Sequence, residues 1–261
     1  MKKIAFLFAA SLAMLSCDND DNTVAPIEDV AVSFTFTHNW DGAEITNPDY
    51  ETTSYTNANG EVLTLSKLIY LTSDFTFTNG EGQAFDTGEY NLTNARSGSN
   101  TTFTPNMVLA PGDYNVKFTY GFDDEDNAGN YADLNSADGF WTVPDMLGGG
   151  YHYMRLEGKY NNSAGVETGF QFHNVRANDN TQTPIRLMDT SIEVDLGTIT
   201  VEGTSTDIEI EMNVAEWFKN PHQWDLNTNF MILMPKFDIQ VMMHENGEGV
   251  FSKGAVTSVL P

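Results

Sequence analysis

The sequence contains a single cysteine, Cys17, and only 12 Lys and Arg residues against 37 Asp and Glu residues. One cysteine excludes a disulfide within the chain, a thiolate metal cluster, and a catalytic thiol at any other position. Any metal ligand beyond Cys17 must therefore be nitrogen, oxygen or thioether. The shortage of basic side chains excludes nucleic acid as a partner, because a polyanion binds by releasing counterions to Lys and Arg. The formal net charge of −25 instead attracts cations.

Common catalytic motifs are also missing from the sequence. Neither a Gly-x-Ser-x-Gly nucleophile elbow nor a compact His-Glu-x-x-His pattern occurs. Glu157 shares a predicted strand with Arg155 and Lys159, which indicates an ion pair rather than a general base. We therefore expect a protein that is not an enzyme.

The first residues have the pattern of a targeting segment. Lys2 and Lys3 precede an apolar run at residues 4–15 that is too short to span a bilayer, and a small residue precedes Cys17. This order of basic, apolar and small residues predicts a signal peptide at residues 1–16.

The segment Met14–Cys17 resembles a bacterial lipobox, in which the cysteine becomes the lipidated first residue of the mature protein. An ordinary secretion signal followed by an incidental free thiol is the alternative. Residues 17–28 are predicted to form an acidic flexible tether, and Asp18–Asn22 resembles a surface-export signal of Bacteroidetes lipoproteins. We expect an outer-membrane lipoprotein that contacts the membrane through its lipid anchor alone and faces the periplasm or the medium.

Residues 29–261 show the alternation of β-strands. In Val30–His38, apolar residues alternate with Ser and Thr, which is typical of a half-buried strand. Many short strands separated by Gly, Asn and Asp clusters favour a sandwich or a barrel. The further predicted strands are Val62–Phe77, Tyr114–Tyr120, Tyr151–Tyr160, Thr168–Val175, Ser191–Val201 and Asp207–Met212.

Helical signals are few. Asn213 is a suitable cap for a short helix that Pro221 ends, and a second helix is predicted to begin at Pro235 and end at Asn246–Gly247. The chain shows no repeat of fixed period and no linker after residue 26. The expected fold is one all-β domain at residues 29–261, an antiparallel β-sandwich with one or two short peripheral helices.

Four segments, in order along the chain, carry a resemblance to one family: Phe34–His38, Leu109–Tyr114, Gly148–Tyr160 and Phe170–His173. Together they are similar to the copper-binding MbnP-like family of bacterial lipoproteins. The resemblance implies a β-sandwich that binds copper and is often encoded with a di-haem cytochrome c peroxidase-like partner. In the best-studied member, that kind of partner oxidises a tryptophan to kynurenine.

Three of the five histidines, His38, His152 and His173, lie in predicted strands. Alternation places His152 on the face of Met154, and it places His38 on an apolar face, where a polar ring needs a hydrogen-bond partner or a metal. Copper suits imidazole and thioether ligands, and zinc is its main competitor. The resemblance supports all three histidines as copper ligands in one pocket. Structural histidines satisfied by hydrogen bonds are the alternative.

Two tryptophans, Trp141 and Trp40, are candidates for the kynurenine that the resemblance implies. An unmodified indole nitrogen only donates hydrogen bonds, whereas the opened ring has an amine and a ketone that can bind a metal. A core position for Trp141 and a rim position for Trp40 are the alternatives.

The sequence thus predicts a non-catalytic, copper-binding lipoprotein of the cell envelope that captures, stores or delivers the metal. The alternative function is a β-sandwich lipoprotein that binds glycans or surfaces without metal. That alternative requires exposed aromatic side chains, such as Trp40, Trp141 and Trp224, which stack on sugar rings.

Overall fold

Two β-sheets packed face to face form the body of the computed structural model, which describes residues 29–261. One sheet has six strands, the other has eight, and a two-stranded ribbon stands beside them. The predicted all-β sandwich is therefore confirmed. Within the described residues the strands are β1 Val30–Trp40, β2 Ala43–Glu44, β3 Tyr55–Thr56, β4 Val62–Asn79, β5 Ala84–Asp86, β6 Asn91–Asn94, β7 Thr102–Phe103, β8 Val108–Leu109, β9 Gly112–Tyr120, β10 His152–Asn161, β11 Glu167–Val175, β12 Ala177–Asp179, β13 Arg186–Met188, β14 Ile192–Val201, β15 Ser205–Asn213 and β16 Phe251–Val259.

The smaller sheet has the order β16-β15-β1-β2, and β7 and β8 also pair with β1. Its strands are antiparallel except for β1 and β15, which run in parallel from Ala31 opposite Ser205 to Asn39 opposite Asn213. The first strand of the domain therefore lies inside this sheet, next to a strand from the last quarter of the chain.

The larger sheet has the order β11-β10-β4-β9-β14, and β3, β5 and β6 also pair with β4. Strand β4 is 18 residues long, and residues 68–73 in its middle are buried on both faces. Loops must therefore cover the outer face of the sheet at this point, because alternate side chains point to opposite faces.

The core lies between the two sheets. The alternation predicted for β1 is confirmed, since every second residue from Val30 to Trp40 is buried. The ring of Phe34 packs 4.6 Å from that of Phe75 across the sandwich, and the ring of Phe36 packs 6.0 Å from that of Tyr70. Each such aromatic contact contributes about 0.5–1.5 kcal/mol beyond the burial of its area.

Helical segments occur near the two positions that the sequence indicates. A 3₁₀ helix spans Val214–Phe218, and the side chain of Asn213 accepts a hydrogen bond from the Ala215 backbone N–H at 3.2 Å. Its Trp217 is fully buried, so this helix is part of the core rather than a peripheral cover. In the part of the chain that the structure describes, the other helices are α1 Asp124–Asn127, α2 Phe237–Gly247, and the 3₁₀ helices Asn47–Asp49 and Asp145–Leu147.

No helix among residues 29–261 combines the length and the apolar character needed to cross a membrane. The predicted signal peptide at residues 1–16, the lipidation of Cys17 and the tether at residues 17–28 lie outside the described residues.

Candidate metal-binding site

Side chains of β10 and β11 meet on the outer face of the larger sheet. Leu156 pairs with Phe172, and both are buried in the core. Because side chains alternate, the next residues of the two strands, Glu157 and His173, point away from the smaller sheet. Arg155 is the strand partner of His173 and points the same way. The two strands thus bring an imidazole, a carboxylate and a guanidinium together.

A β-bulge brings His152 to the same face. The pairing shifts between His152, which lies opposite Val175, and Met154, which lies opposite Asn174. The extra residue breaks the alternation. Met154 is fully buried, whereas the ring of His152 packs edge-on against the ring of His173, with centroids 5.7 Å apart. The prediction that His152 shares a face with Met154 is therefore wrong.

The imidazole of His173 is oriented by a carboxylate. Its Nε2 lies 2.8 Å from Oε1 of Glu157, and because the carboxylate accepts, we assign the proton to Nε2 and the lone pair to Nδ1. This hydrogen bond holds the pKa of Glu157 below its usual value, and Lys67 lies 3.8 Å from the same oxygen. A carboxylate–imidazole pair of this kind orients the histidine in many metal sites.

The imidazole of His152 is neutral. Its Nδ1 donates to the carbonyl oxygen of Trp141 at 2.9 Å, which leaves the lone pair on Nε2. Burial, followed by the positive charge of Arg155, lowers the pKa of His152 to about 3. No hydrogen bond to Nε2 occurs within residues 29–261, so this nitrogen is available as a ligand.

His173 also lines a cavity of about 370 Å³ between β11 and the segment 232–235. Leu147, Leu233 and Met234 line the same cavity. Two imidazoles bound to one ion have centroids about 5–6 Å apart, because each metal–nitrogen bond is about 2 Å long. The 5.7 Å separation of the His152 and His173 rings falls in that range.

Arg155 holds the loop that covers this site. Its guanidinium donates to the backbone carbonyl oxygens of Asp138 at 2.8 Å and of Phe140 at 2.5 Å. It also lies 4.8 Å from the centroid of the Trp141 ring, within the range of a cation–π contact. The loop is thereby fixed against His152.

The tryptophans are buried. Trp141 is fully buried, its ring centroid is 5.6 Å from that of His152, and its Nε1 has no hydrogen-bond partner among the described residues. Trp40 is stacked on Tyr55 and is only 7% exposed, and Trp224 is fully buried. The prediction that these three indoles are exposed for glycan stacking is therefore wrong, and so is the rim position of Trp40.

His38 lies in the core, apart from the other two strand histidines. Its Nε2 is 3.1 Å from the hydroxyl oxygen of Tyr70, and burial lowers its pKa to about 4. Tyr70 pairs with Met154 and faces the smaller sheet. The larger sheet therefore separates His38 from His152 and His173. The three rings therefore do not share one pocket. The expected site of three histidines is corrected to a pair, His152 and His173.

The donor set at this pair is small. No group of three or more His, Cys, Asp or Glu side chains placed to hold a metal occurs between residues 29 and 261. A metal bound by His152 and His173 therefore needs a ligand of another type. Met234 is a suitable candidate, because this residue lines the same cavity as His173 and carries a thioether.

Two residues of this site were not assigned to it from the sequence. Glu157 contacts His173 across neighbouring strands, and this contact follows from the register of β10 and β11. The register of these two strands depends on the conformation of the hairpin loop between residues 161 and 167, which the sequence does not specify. Met234 lies in a segment without regular structure, and no pattern in the sequence indicates its position.

Comparisons with known proteins identify a family for this chain. The family model described as MbnP matches residues 29–242. Among solved structures, the chain is similar to MbnP from Methylosinus trichosporium, with 12% sequence identity and a TM-score of 0.47, covering 77% of this chain and 80% of that chain. The chain matches no curated protein. Since the family model covers well over half of its length, the chain belongs to the MbnP family.

Proposed function

We propose that this protein binds a copper ion through His152 and His173 and acts as a non-catalytic, copper-binding lipoprotein of the cell envelope. One observation carries the proposal. Each ring uses one nitrogen for a hydrogen bond to the protein, at Glu157 for His173 and at the Trp141 carbonyl for His152, and its other nitrogen has no such bond to an acceptor within residues 29–261. Rings held in this way lose little freedom when a metal binds.

The chemistry of the donors favours copper. Neutral imidazoles and a thioether such as that of Met234 suit the soft cuprous ion, and cupric ion leads the divalent metals in affinity for nitrogen ligands. A structural zinc site usually has four protein ligands, which this pair of rings does not supply. The resemblance noted in the sequence is to the same family that the family model identifies, and it implies copper binding.

The overall charge supports capture of a cation. The formal net charge of −25 raises the local concentration of positive ions around the molecule. Near the rings, the charge of Arg155 is balanced by Asp138 at 3.3 Å, and Lys67 lies 3.0 Å from the same carboxylate. The site itself is therefore close to neutral within an acidic protein.

The proposed setting is the outer membrane, with the chain anchored by a lipid on Cys17 and facing the periplasm or the medium. The proposed role is capture, storage or delivery of copper, with a di-haem cytochrome c peroxidase-like protein as a candidate partner. These parts of the proposal follow from the sequence of residues 1–28 and from the resemblance.

The proposal is tested by metal analysis of protein loaded with copper and then desalted. We expect about one copper ion per chain, and a loss of binding in His173→Ala and in His152→Ala, because each variant leaves one imidazole. Glu157→Gln should weaken copper binding about 10–100-fold, since an outer-shell partner orients His173.

Two variants serve as controls in the same assay. His38→Gln and His222→Ala change histidines outside the pair, so both should retain the copper content of the natural protein. Circular dichroism should show that each variant remains folded. Unchanged copper content in the double variant His152→Ala/His173→Ala would contradict the proposal.

A further inference from the structure

Several large apolar side chains are exposed around the pair of histidines. Phe140 is 68% exposed, Met146 is 74% exposed, Ile232 is 70% exposed and Met231 is 37% exposed. We call these four residues the apolar rim. Single exposed apolar residues are ordinary, whereas a group of them around one site marks a surface that another molecule covers.

Contacts of the structure connect the rim to the site. Ile232 lines the cavity that His173 also lines, and so does Leu147, the neighbour of Met146. The carbonyl of Phe140 accepts from Arg155, whose guanidinium is 3.3 Å from Nδ1 of His152. The rim therefore borders the two rings from several loops that are distant in sequence.

Two residues of the rim have a backbone conformation that rarely occurs for bulky side chains. Phe140 has a φ of 78° and Ile232 has a φ of 56°, both in the left-handed region. A β-branched residue is particularly unfavourable there, and burial in the core does not compensate, because both side chains face solvent. Strain of this kind at an exposed apolar residue indicates a functional requirement.

The segments that carry the rim are held in place. Arg155 donates to the Asp138 and Phe140 carbonyls, and the backbone N–H of Gln171 donates to the Phe230 carbonyl at 2.7 Å. The side-chain amide of Asn178 donates to the Met234 carbonyl at 3.0 Å. The apolar side chains are thus presented by a fixed backbone, which reduces the entropy lost on binding.

We propose that the apolar rim is a docking surface for a partner protein whose contact face is apolar at its centre and edged by Lys and Arg. The charge of this chain, −25, favours a basic partner and disfavours a second copy of itself. Asp145, which is exposed beside Met146, has no ion-pair partner within residues 29–261 and is available to a basic edge. This docking surface is argued from the rim itself and does not rest on the proposed function.

The test uses a synthetic amphipathic helical peptide with a leucine face bordered by lysines. Its affinity for the metal-free, full-length protein is measured by fluorescence anisotropy, and its contact residues are mapped by amide NMR shifts. We expect binding that weakens with added salt and shifts that cluster at the rim. A peptide with glutamate in place of each lysine, and one with the same residues in scrambled order, should bind more weakly.

The decisive variant is Phe140→Gly/Ile232→Gly. It removes both side chains, and because glycine adopts positive φ without strain, the fold should be at least as stable as before. We expect the peptide to bind at least about 10-fold more weakly, as for the loss of two anchoring residues. Val108→Ser, which changes a residue that is 57% exposed on β8 in the smaller sheet, should bind as the natural protein does.

Three results would overturn the docking surface. In the first, the glycine double variant and the natural protein bind the peptide with equal affinity. In the second, Val108→Ser weakens peptide binding as much as the double variant does. In the third, the metal-free protein dimerises and the double variant abolishes the dimer. Because the assay contains no copper, its outcome does not depend on whether His152 and His173 bind the metal. A failure of copper binding is therefore distinguishable from a failure of docking.

Discussion

Two buried imidazoles are held in their neutral form by different surroundings. Burial is the main cause of the low pKa of His38, about 4, and of His152, about 3. At His152 the charge of Arg155 adds to burial, whereas at His38 the ring has Tyr70 as its hydrogen-bond partner. His152 points to the outer face of the larger sheet and has no hydrogen bond to Nε2 within residues 29–261, whereas His38 lies between the sheets with Tyr70 on its Nε2.

The neutral state of His38 has a consequence for stability. Its pKa is 6.5 when unfolded and about 4 when folded, so between these values the unfolded chain binds more protons. The contribution of His38 to folding is therefore complete above pH 6.5 and decreases as the pH falls toward about 4. The full shift is worth about 3 kcal/mol.

We expect His38→Gln to remove this pH dependence. The free energy of unfolding of each metal-free protein is measured with denaturant. The value for the natural protein minus that for the variant should fall by about 2–3 kcal/mol when the pH is lowered from about 7 to about 4.5. Curves that remain parallel over this range would show that His38 is protonated equally in both states.

The sequence predicts some side-chain positions and not others, for reasons that the residues make clear. Regular alternation correctly placed His38 on the apolar face of β1. The same rule failed for His152, because one extra residue in β10 breaks the alternation and has no signal in the sequence. The copper-binding roles of His152 and His173 stay predictions.

At the scale of elements, a glycine determines how β10 and β4 approach each other. A Cβ at Gly158 would lie 1.9 Å from the Thr64 carbonyl oxygen and 2.7 Å from the ring of Phe170. The pairing of the two strands also shifts between Glu157 and Gly158. A side chain larger than glycine would therefore collide with β4 at the residue next to the carboxylate that orients His173.

We expect Gly158→Ala to destabilise the protein by about 3 kcal/mol or more, because a backbone carbonyl blocks the added methyl group and overpacking of this kind is costly. Gly169→Ala is the control, since its Cβ would approach only the Gly158 carbonyl oxygen, at 3.9 Å. That variant should change the free energy of unfolding by less than about 1 kcal/mol. Similar losses in both variants would mean that the close approach at Gly158 relaxes readily.

The long strands were predictable because their apolar residues repeat with a period of two over many positions. The cap at Asn213 was predictable from its residue type, since its side chain accepts from the backbone as expected. The loops that complete the candidate site were not. The segments around Trp141 and Met234 have no period, and long-range hydrogen bonds, such as that from Asn178 to the Met234 carbonyl, fix their positions.

For the whole molecule, the dominant electrostatic feature is self-repulsion. A formal net charge of −25 destabilises a compact state, and salt reduces this repulsion by shortening its range from about 30 Å at 0.01 M to about 8 Å at 0.15 M. The many surface ion pairs compensate little, because each exposed pair contributes about 0–1 kcal/mol.

We therefore expect the melting temperature of the metal-free protein to rise with sodium chloride between about 0.01 M and about 0.15 M. A gain of about 1 kcal/mol corresponds to about 2–4 °C for a domain of this size. Calorimetry in the presence of a chelator measures the change. A melting temperature that falls as salt increases would show that favourable ion pairs outweigh the repulsion.

The order of strands in the sheets was beyond sequence reasoning, since a period of two does not specify which strands are neighbours. The parallel pairing of β1 with β15 is the clearest case, because it connects positions as far apart as Ala31 and Ser205. Contacts between such distant positions form slowly, as a long stretch of chain must first be brought together. During synthesis, the centre of the smaller sheet therefore cannot form until the ribosome has added Asn213. In a chain that is interrupted before this point, β1 would lack the neighbour that β15 provides.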